Sequence, residues 1–339
     1  MNNKTKISIF IVAFLTVMSC YIALFYYQIG RGVVAEWWLR NVTEKKLQIS
    51  KNKPNERVII VAGSNGLFGF DSDLIAKETG MDVVNLSLHA GLDLSFYRMM
   101  IEQTVRKDDV VVMPLEFSYY SLKDEYTGWF VDNMMAWGDD YLKWLSPWKK
   151  IEFLSHVSLS RVVTGVTSPI KNNFDSLQQV MRYSNNNGMY AGYNYKSLNN
   201  GGDINRFGFM HDLVKYMIAD PDANRETLSY GKYDIQVSGH AIDELMTIKN
   251  IVQSRGATFY MSWPTTMKTK YFNENDAQSK YFVDAILTQL GEKGFSFICD
   301  PFYANLSPDY FLDTHYHLNG NGARLRSIKF AKCLNKIAK

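Results

Sequence analysis

The first place in this sequence where residue type and spacing could support covalent chemistry is a serine between glycines. Ser64 stands in Gly63-Ser64-Asn65-Gly66, directly after the β-branched run Val58-Ile59-Ile60-Val61. Small neighbours let the backbone turn sharply and leave the amides of Ser64 and Asn65 to face a developing oxyanion. The same tetrapeptide also serves as an ordinary strand-to-helix turn. It is neither the Gly-x-Ser-x-Gly elbow, because Ala62 holds the first glycine position, nor a Walker A or Gly-x-Gly-x-x-Gly loop. A serine nucleophile needs a base. Two of the six histidines lie in Asp313-Thr314-His315-Tyr316-His317-Leu318-Asn319-Gly320. An aspartate this close in sequence can orient an imidazole and stabilise its protonated form.

These groups need a scaffold that brings the two ends of the chain together. Residues 57–62, 82–86, 109–113, 257–261 and 295–298 are short apolar runs and alternate with amphipathic patterns at 71–78, 94–106, 240–255, 278–290 and 322–337. That alternation predicts an α/β fold: three layers around a mainly parallel, five-stranded, flavodoxin-like sheet. Ligands of such sheets bind at the carboxyl ends of the strands, where Ser64 and the 313–320 loop both fall. Trp263, in Ser262-Trp263-Pro264 after the fourth strand, is expected to line the same edge. Residues 120–238 break the rhythm and read as a large insertion. They carry Trp129, Trp137, Trp144 and Trp148, then an Asn/Gly/Tyr-rich stretch from Asn185 to Gly202. The tryptophans form either a sugar-stacking platform or the insertion's own core.

Residues 7–29 are uncharged and mostly apolar, preceded by Lys4 and Lys6. Such a run spans a hydrocarbon core of about 30 Å and exceeds the apolar stretch of a cleaved signal peptide. Residues 1–30 are therefore expected to be an uncleaved inner-membrane anchor and 31–56, Lys-rich towards their end, a linker. The domain at 57–339 would face the periplasm or cell exterior. A net charge of +3 with 21% charged residues gives no basic excess of the kind nucleic-acid binding requires. Cys20, Cys299 and Cys333 have no metal-type spacing, and no cofactor motif occurs. Cys299 and Cys333 form either one disulfide or two free thiols.

Three blocks together resemble the SGNH/GDSL hydrolase superfamily: Gly63-Ser64-Asn65, Asn85-Leu86-Ser87-Leu88-His89-Ala90-Gly91, and Asp313 to Asn319. With the N-terminal anchor, the chain resembles in particular its membrane-anchored DltD/AlgJ-like branch. The resemblance covers residues 57–115 and 240–335. It implies Ser64 as nucleophile, His317 as base and Asp313 as the orienting acid, with Leu318-Asn319 favouring His317 over His315. Gly91 would be a second oxyanion donor beside the Ser64 amide, and Asn85 would belong to the substrate-binding block. The family's third donor is an asparagine after the third strand. Here that place reads Met113-Pro114-Leu115-Glu116-Phe117-Ser118, and a carboxylate donates only when protonated. The third donor is therefore Ser118, Asn65 or absent. The resemblance implies a serine O-acyltransferase or esterase acting on an extracytoplasmic polysaccharide, most simply by O-acetyl transfer. Its partners would be an acyl donor, the polysaccharide acceptor and a multi-spanning membrane-bound O-acyltransferase. A catalytically degenerate assembly or binding factor is the alternative.

Overall fold

The computed structural model describes residues 2–31, 33, 35–53, 56–168, 195–204, 235–312 and 314–337. Residues 1–40 with 126–187 form one compact unit, and residues 41–125 with 188–339 a second.

The second unit is a mixed α/β body. Its sheet consists of β1 (Arg57–Ile60), β2 (Asp82–Asn85), β3 (Val110–Met113) and β4 (Thr258–Met261), in the order β2-β1-β3-β4 and parallel throughout. β1 is buried along its whole length, and β2 and β3 at three of their four positions. The strands are therefore continuous apolar runs rather than alternating ones. Their connections hold α3 (Ser64–Leu67) and α4 (Ser72–Thr79) after β1, α5 (Leu94–Thr104) after β2, and α6 (Phe117–Ser121) after β3. Then follow α11 (Gly239–Ser254), α12 (Ala277–Gly291) and α13 (Gly320–Ile337), with α5 packed on α11 and α4 on α13. A separate parallel pair joins β5 (Thr266–Met267) to β6 (Asn305–Leu306).

The expected fifth strand at 295–298 is reduced to one parallel bridge between Phe297 and Met261. Met261 exchanges bonds of 2.9 Å with Ser296 and Ile298. The chain then leaves the sheet at Cys299, whose φ of 68° is left-handed. Cys299 is disulfide-bonded to Cys333 on α13, with Cα atoms 5.3 Å apart.

The segment expected as a linker is largely a helix, α2 (Trp38–Asn52). Its charges obscured the pattern, because Val42, Lys46, Ile49 and Ser50 fall on one face and are buried. Lys46 is the unexpected member. Its Nζ donates to the carbonyls of Asn85 at 2.9 Å and Ser87 at 2.6 Å, and burial pulls its pKa down to about 7 against the partial support of Asp203. A neutral amine still serves both carbonyls. Between pH 7 and the unfolded value the folded chain therefore holds fewer protons than the unfolded chain, and stability rises with pH. Urea unfolding is expected to show a gain of about 2 kcal/mol from pH 7 to pH 9 that disappears in Lys46→Met. An identical pH profile for the two proteins would remove the assignment.

At the foot of the sheet Arg57 and Asp109 form a fully buried ion pair, 2.6 Å from Nη2 to Oδ2. Arg57 also donates to the carbonyls of Ser50 and Thr104, which satisfies the guanidinium where a lone charge would be costly.

The first unit contains α1 (Asn3–Gln28), α7 (Gly128–Trp137), α8 (Asp139–Trp144), α9 (Pro147–Ser155) and α10 (Leu159–Thr167). α1 is long and apolar enough to cross a membrane. α7 to α9 enclose a small aromatic core in which Phe130 and Phe153 each meet both Tyr126 and Tyr141, with ring centroids 5.2–6.5 Å apart. Of the four tryptophans of this region, Trp137 is buried and bonded to Asn133, whereas Trp148 is exposed. The stretch from Asn185 to Tyr193 lies outside the described residues.

Candidate active site

Three strand ends of the second unit converge on Ser64. β1 delivers Gly63 and Ser64, β2 the loop through Ala90, and β3 Glu116. A Cβ placed on Gly63 would stand 2.7 Å from the Ala90 Cα and 2.6 Å from Glu116 Oε1. Glycine is therefore required there by close approach. Glu116 is fully buried and grips the turn from both sides of the serine. Its Oε2 accepts the N–H of Gly63 at 3.1 Å and its Oε1 that of Asn65 at 2.8 Å. Burial pushes its carboxyl above the usual range, and the Asn65 and Gly63 amides pull it back in part. The N–H of Ser64, between the two clamped amides, has no partner among the described residues, and neither has its hydroxyl. This leaves the serine's own amide as the free donor of the turn.

Asn65 and Asn85 have been given other work. The Asn65 amide is held by Glu116, its Nδ2 donates to the Pro114 carbonyl at 2.9 Å, and its Oδ1 accepts from Arg326 at 3.0 Å. Asn65 is therefore a buried group whose backbone N–H, Nδ2 and Oδ1 each have a partner within the protein. Asn85 Nδ2 donates to the Gly66 carbonyl and to Asp203 Oδ1, both at 2.9 Å, and its Oδ1 accepts from Ser87 at 3.0 Å. It fastens the turn after Ser64 to the strand beside it. Asp203 escaped the sequence reading. Its carboxylate also binds the Ser72 amide and hydroxyl and the Asn199 side chain. Through it the described end of the Asn/Gly-rich stretch becomes a pinned turn, with the Gly201 carbonyl accepting from Asn85 N at 2.7 Å.

Gly91 differs from expectation in the same way. Its N–H donates to His89 Nδ1 at 3.0 Å. Burial, with a smaller contribution from the charge of His317, lowers the His89 pKa to about 4. The ring is therefore neutral at pH 7 and carries its proton on Nε2. The loop is held further by the Tyr97 hydroxyl on the His89 carbonyl at 3.1 Å and the Tyr119 hydroxyl on the Leu92 carbonyl at 3.0 Å.

His317 reaches the same region. Its ring lies 4.5 Å, centroid to centroid, from Phe68, and the Phe68 N–H donates to the Ser64 carbonyl at 3.0 Å. The imidazole thus packs on the residue that closes the serine's own helical turn. His317 N is fixed by the Thr314 hydroxyl at 3.1 Å and its carbonyl accepts from Leu312 at 2.9 Å. His315 is lowered to about 4, by burial first and then by the charge of His317, so it too is neutral at pH 7. Asp313 lies outside the described residues.

Two further expected residues fall away from the turn's polar groups. The Ser118 side chain is exposed on α6, and its hydroxyl has no partner among the described residues. Trp263 is fully buried, stacked on Phe297 at 4.7 Å. Its carbonyl and the Asn65 carbonyl both accept from Arg326 of α13, at 3.2 and 2.8 Å. The sequence offered no sign of Tyr120, a fully buried phenol whose hydroxyl has no partner among the described residues and which senses the charges of Glu116 and Tyr316. A second histidine–carboxylate pair, His240 Nε2 to Asp93 Oδ2 at 2.9 Å, joins the starts of α11 and α5. Asp93 also caps α5 through the Ser95 N–H, which makes the pair a fastening between helices.

No protein-family model matches this sequence, and no curated protein matches it. Among solved structures, that of protein YxiM from Bacillus subtilis aligns with 84% of this chain at a TM-score of 0.38 and 8% identity. The chain spans 57% of the length of that protein.

Proposed function

We propose that this protein is a membrane-anchored serine esterase or O-acyltransferase with Ser64 as nucleophile and His317 as base. The observation that carries the reading is the clamp on the serine turn. Glu116 holds the amides on either side of Ser64, and the Ser64 N–H and hydroxyl have no partner among the described residues at the carboxyl edge of a parallel sheet. In the reaction Ser64 Oγ adds to the carbonyl of an acyl donor as His317 takes the hydroxyl proton. The Ser64 N–H stabilises the oxyanion, and collapse expels the leaving group, which receives the proton. A sugar hydroxyl or water then reverses the sequence on the acyl-serine and regenerates the enzyme. Asp313 is assigned to orienting His317.

The acceptor we assign is an extracytoplasmic polysaccharide, and the acyl donor is supplied through a multi-spanning membrane acyltransferase. The disulfide between Cys299 and Cys333 supports an oxidising compartment for the second unit. Purified protein is expected to be labelled covalently by a fluorophosphonate probe at Ser64, with labelling lost in Ser64→Ala of unchanged thermal stability. Folded wild-type protein that stays unlabelled from pH 7 to pH 9 would overturn the nucleophile assignment.

A second reading has its own observation. The amides of Gly91 and Asn65, both expected to face an oxyanion, are occupied by His89 and Glu116. That supports a non-catalytic module that binds a glycan or an acyltransferase. In that case Ser64→Ala would still complement a deletion strain, whereas an enzyme requires the serine.

A further inference from the structure

The first unit presents an apolar face beside the end of α1, and we infer that this face, on α9 and α10, rests in the lipid interface around the anchor. α9 exposes Trp148 (80%) and Ile151 (58%), one turn apart, and α10 exposes Leu159 (69%) and Val163 (52%), also one turn apart. Single exposed hydrophobic residues are ordinary. Two pairs of large ones at helical spacing, on consecutive short helices, are more than soluble surfaces usually keep. The opposite faces of the same helices are committed inward, through Phe153 on α9 and Val162 on α10. Among the described residues these four outward side chains therefore stand outside the unit's own core.

The position of α1 identifies what covers it. α10 packs against the last turn of α1. A Cβ on Gly165 would come within 2.6 Å of the Gln28 Cβ, so glycine permits the close approach. Arg161 Nη1 donates to Gln28 Oε1 at 2.9 Å. Just past α1, the Gly30 N–H donates to the Met135 carbonyl of α7 at 3.1 Å. α10 is thus fixed where α1 ends, at the level where a spanning helix leaves the hydrocarbon. Tyr26 and Tyr27 on α1 are exposed at that level and are residues suited to the headgroup region.

A cavity of about 220 Å³ lies at the same place, lined among others by Tyr26 and Ile29 of the α1 end together with Leu142, Leu154, Lys143 and Lys150. Its walls are apolar, and lysines at such a site can run their methylenes along apolar surface while the ammonium remains in the polar layer. An interfacial helix pair with Trp, Ile, Leu and Val on one side fits this boundary. The occupant is the bilayer itself, and the consequence is a first unit fixed against the membrane surface instead of swinging on α1.

The inference rests on α1 crossing the membrane, and the test separates the two. Cys20 is exposed on α1 and is the only cysteine of this chain outside the disulfide. The full chain is reconstituted in nanodiscs of phosphatidylethanolamine and phosphatidylglycerol. A spin label is placed at native Cys20, or, in a Cys20→Ser background, at Trp148→Cys, Ile151→Cys, Leu159→Cys or Val163→Cys, with Tyr281→Cys, at an exposed position of α12, as the aqueous reference. The four face positions are expected to collide with an aqueous nickel reagent about fivefold less often than the Tyr281 position, and to be relaxed more by oxygen. A Cys20 label in lipid with all four face labels as wet as the Tyr281 label would overturn the interfacial seating and leave the anchor standing. A wet Cys20 label would overturn both.

Discussion

Replacing Glu116 by Gln is expected to lower the rate of Ser64 modification by about 100-fold, while costing the fold only about 1–3 kcal/mol. The difference follows from what the carboxylate does. It accepts two backbone N–H groups, from Gly63 and Asn65, on separate oxygens. A glutamine keeps one acceptor and turns an NH₂ group against the other amide, so one bond is lost and two donors face each other. The turn must then rotate, and the Ser64 hydroxyl moves with it. Global stability suffers less, because the substitution also removes a buried charge, and burial is the main reason the carboxyl titrates high. The pH dependence supplies an independent check. The folded state binds the Glu116 proton more tightly than the unfolded state does. Wild-type stability therefore falls as pH rises past the ordinary value of 4.5 and through the raised one, and this decline should be absent from Glu116→Gln. The measurements are fluorophosphonate labelling kinetics at pH 7 and urea unfolding from pH 4 to pH 7. Labelling as fast as wild type in folded Glu116→Gln would show that the clamp does not position the serine.

The same residue shows how far the sequence could be read. The strands that deliver Ser64, the 85–91 loop and residue 116 were legible, because Val58 to Val61, Val83 to Asn85 and Val110 to Met113 are short apolar runs closed by glycine, asparagine or proline. The ends of those strands were therefore legible as well. The partners chosen by the polar groups at those ends were not. Hydrogen bonds between Glu116 and residues 63 and 65 join positions about fifty apart in the chain and leave no periodic trace. Asp203 reaching Asn85 and Ser72 is the same kind of contact over more than a hundred positions. Resemblance suggested that the amides of Asn65 and Gly91 are donors to a ligand, whereas the fold spends them internally. Helix α2 was hidden for a different reason: its charged residues dominate the composition of 44–56, and the buried face includes a lysine. The fifth strand is shorter than expected because Phe295, Phe297 and Ile298 carry no information about how many of these positions pair. Here the left-handed Cys299 ends the pairing after one.

Arg326→Met should be the most damaging single substitution in the second unit, costing about 3–5 kcal/mol and lowering the thermal midpoint by about 10 °C or more. The guanidinium is fully buried on α13. It donates to the Asn65 carbonyl at 2.8 Å, Asn65 Oδ1 at 3.0 Å, the Trp263 carbonyl at 3.2 Å and the Tyr303 hydroxyl at 3.2 Å, and lies 4.0 Å over the Phe70 ring. Methionine fills much of the volume but takes the guanidinium donor from four buried acceptors, at a cost in lost solvation. Lysine keeps the charge, yet one ammonium cannot reproduce a planar fork that meets both oxygens of Asn65. Arg326→Lys is therefore expected to recover less than half of the loss. The functional effect should exceed the thermal one, because Arg326 joins the two ends of the candidate site. It holds Asn65, the neighbour of Ser64, and it sits on the helix that begins three residues after His317. Measured well below the midpoint of the variant, labelling of Ser64 should still be reduced at least about tenfold. Normal labelling of the remaining folded fraction would mean that α13 contributes stability alone, and that the His317 loop is held against Phe68 without it.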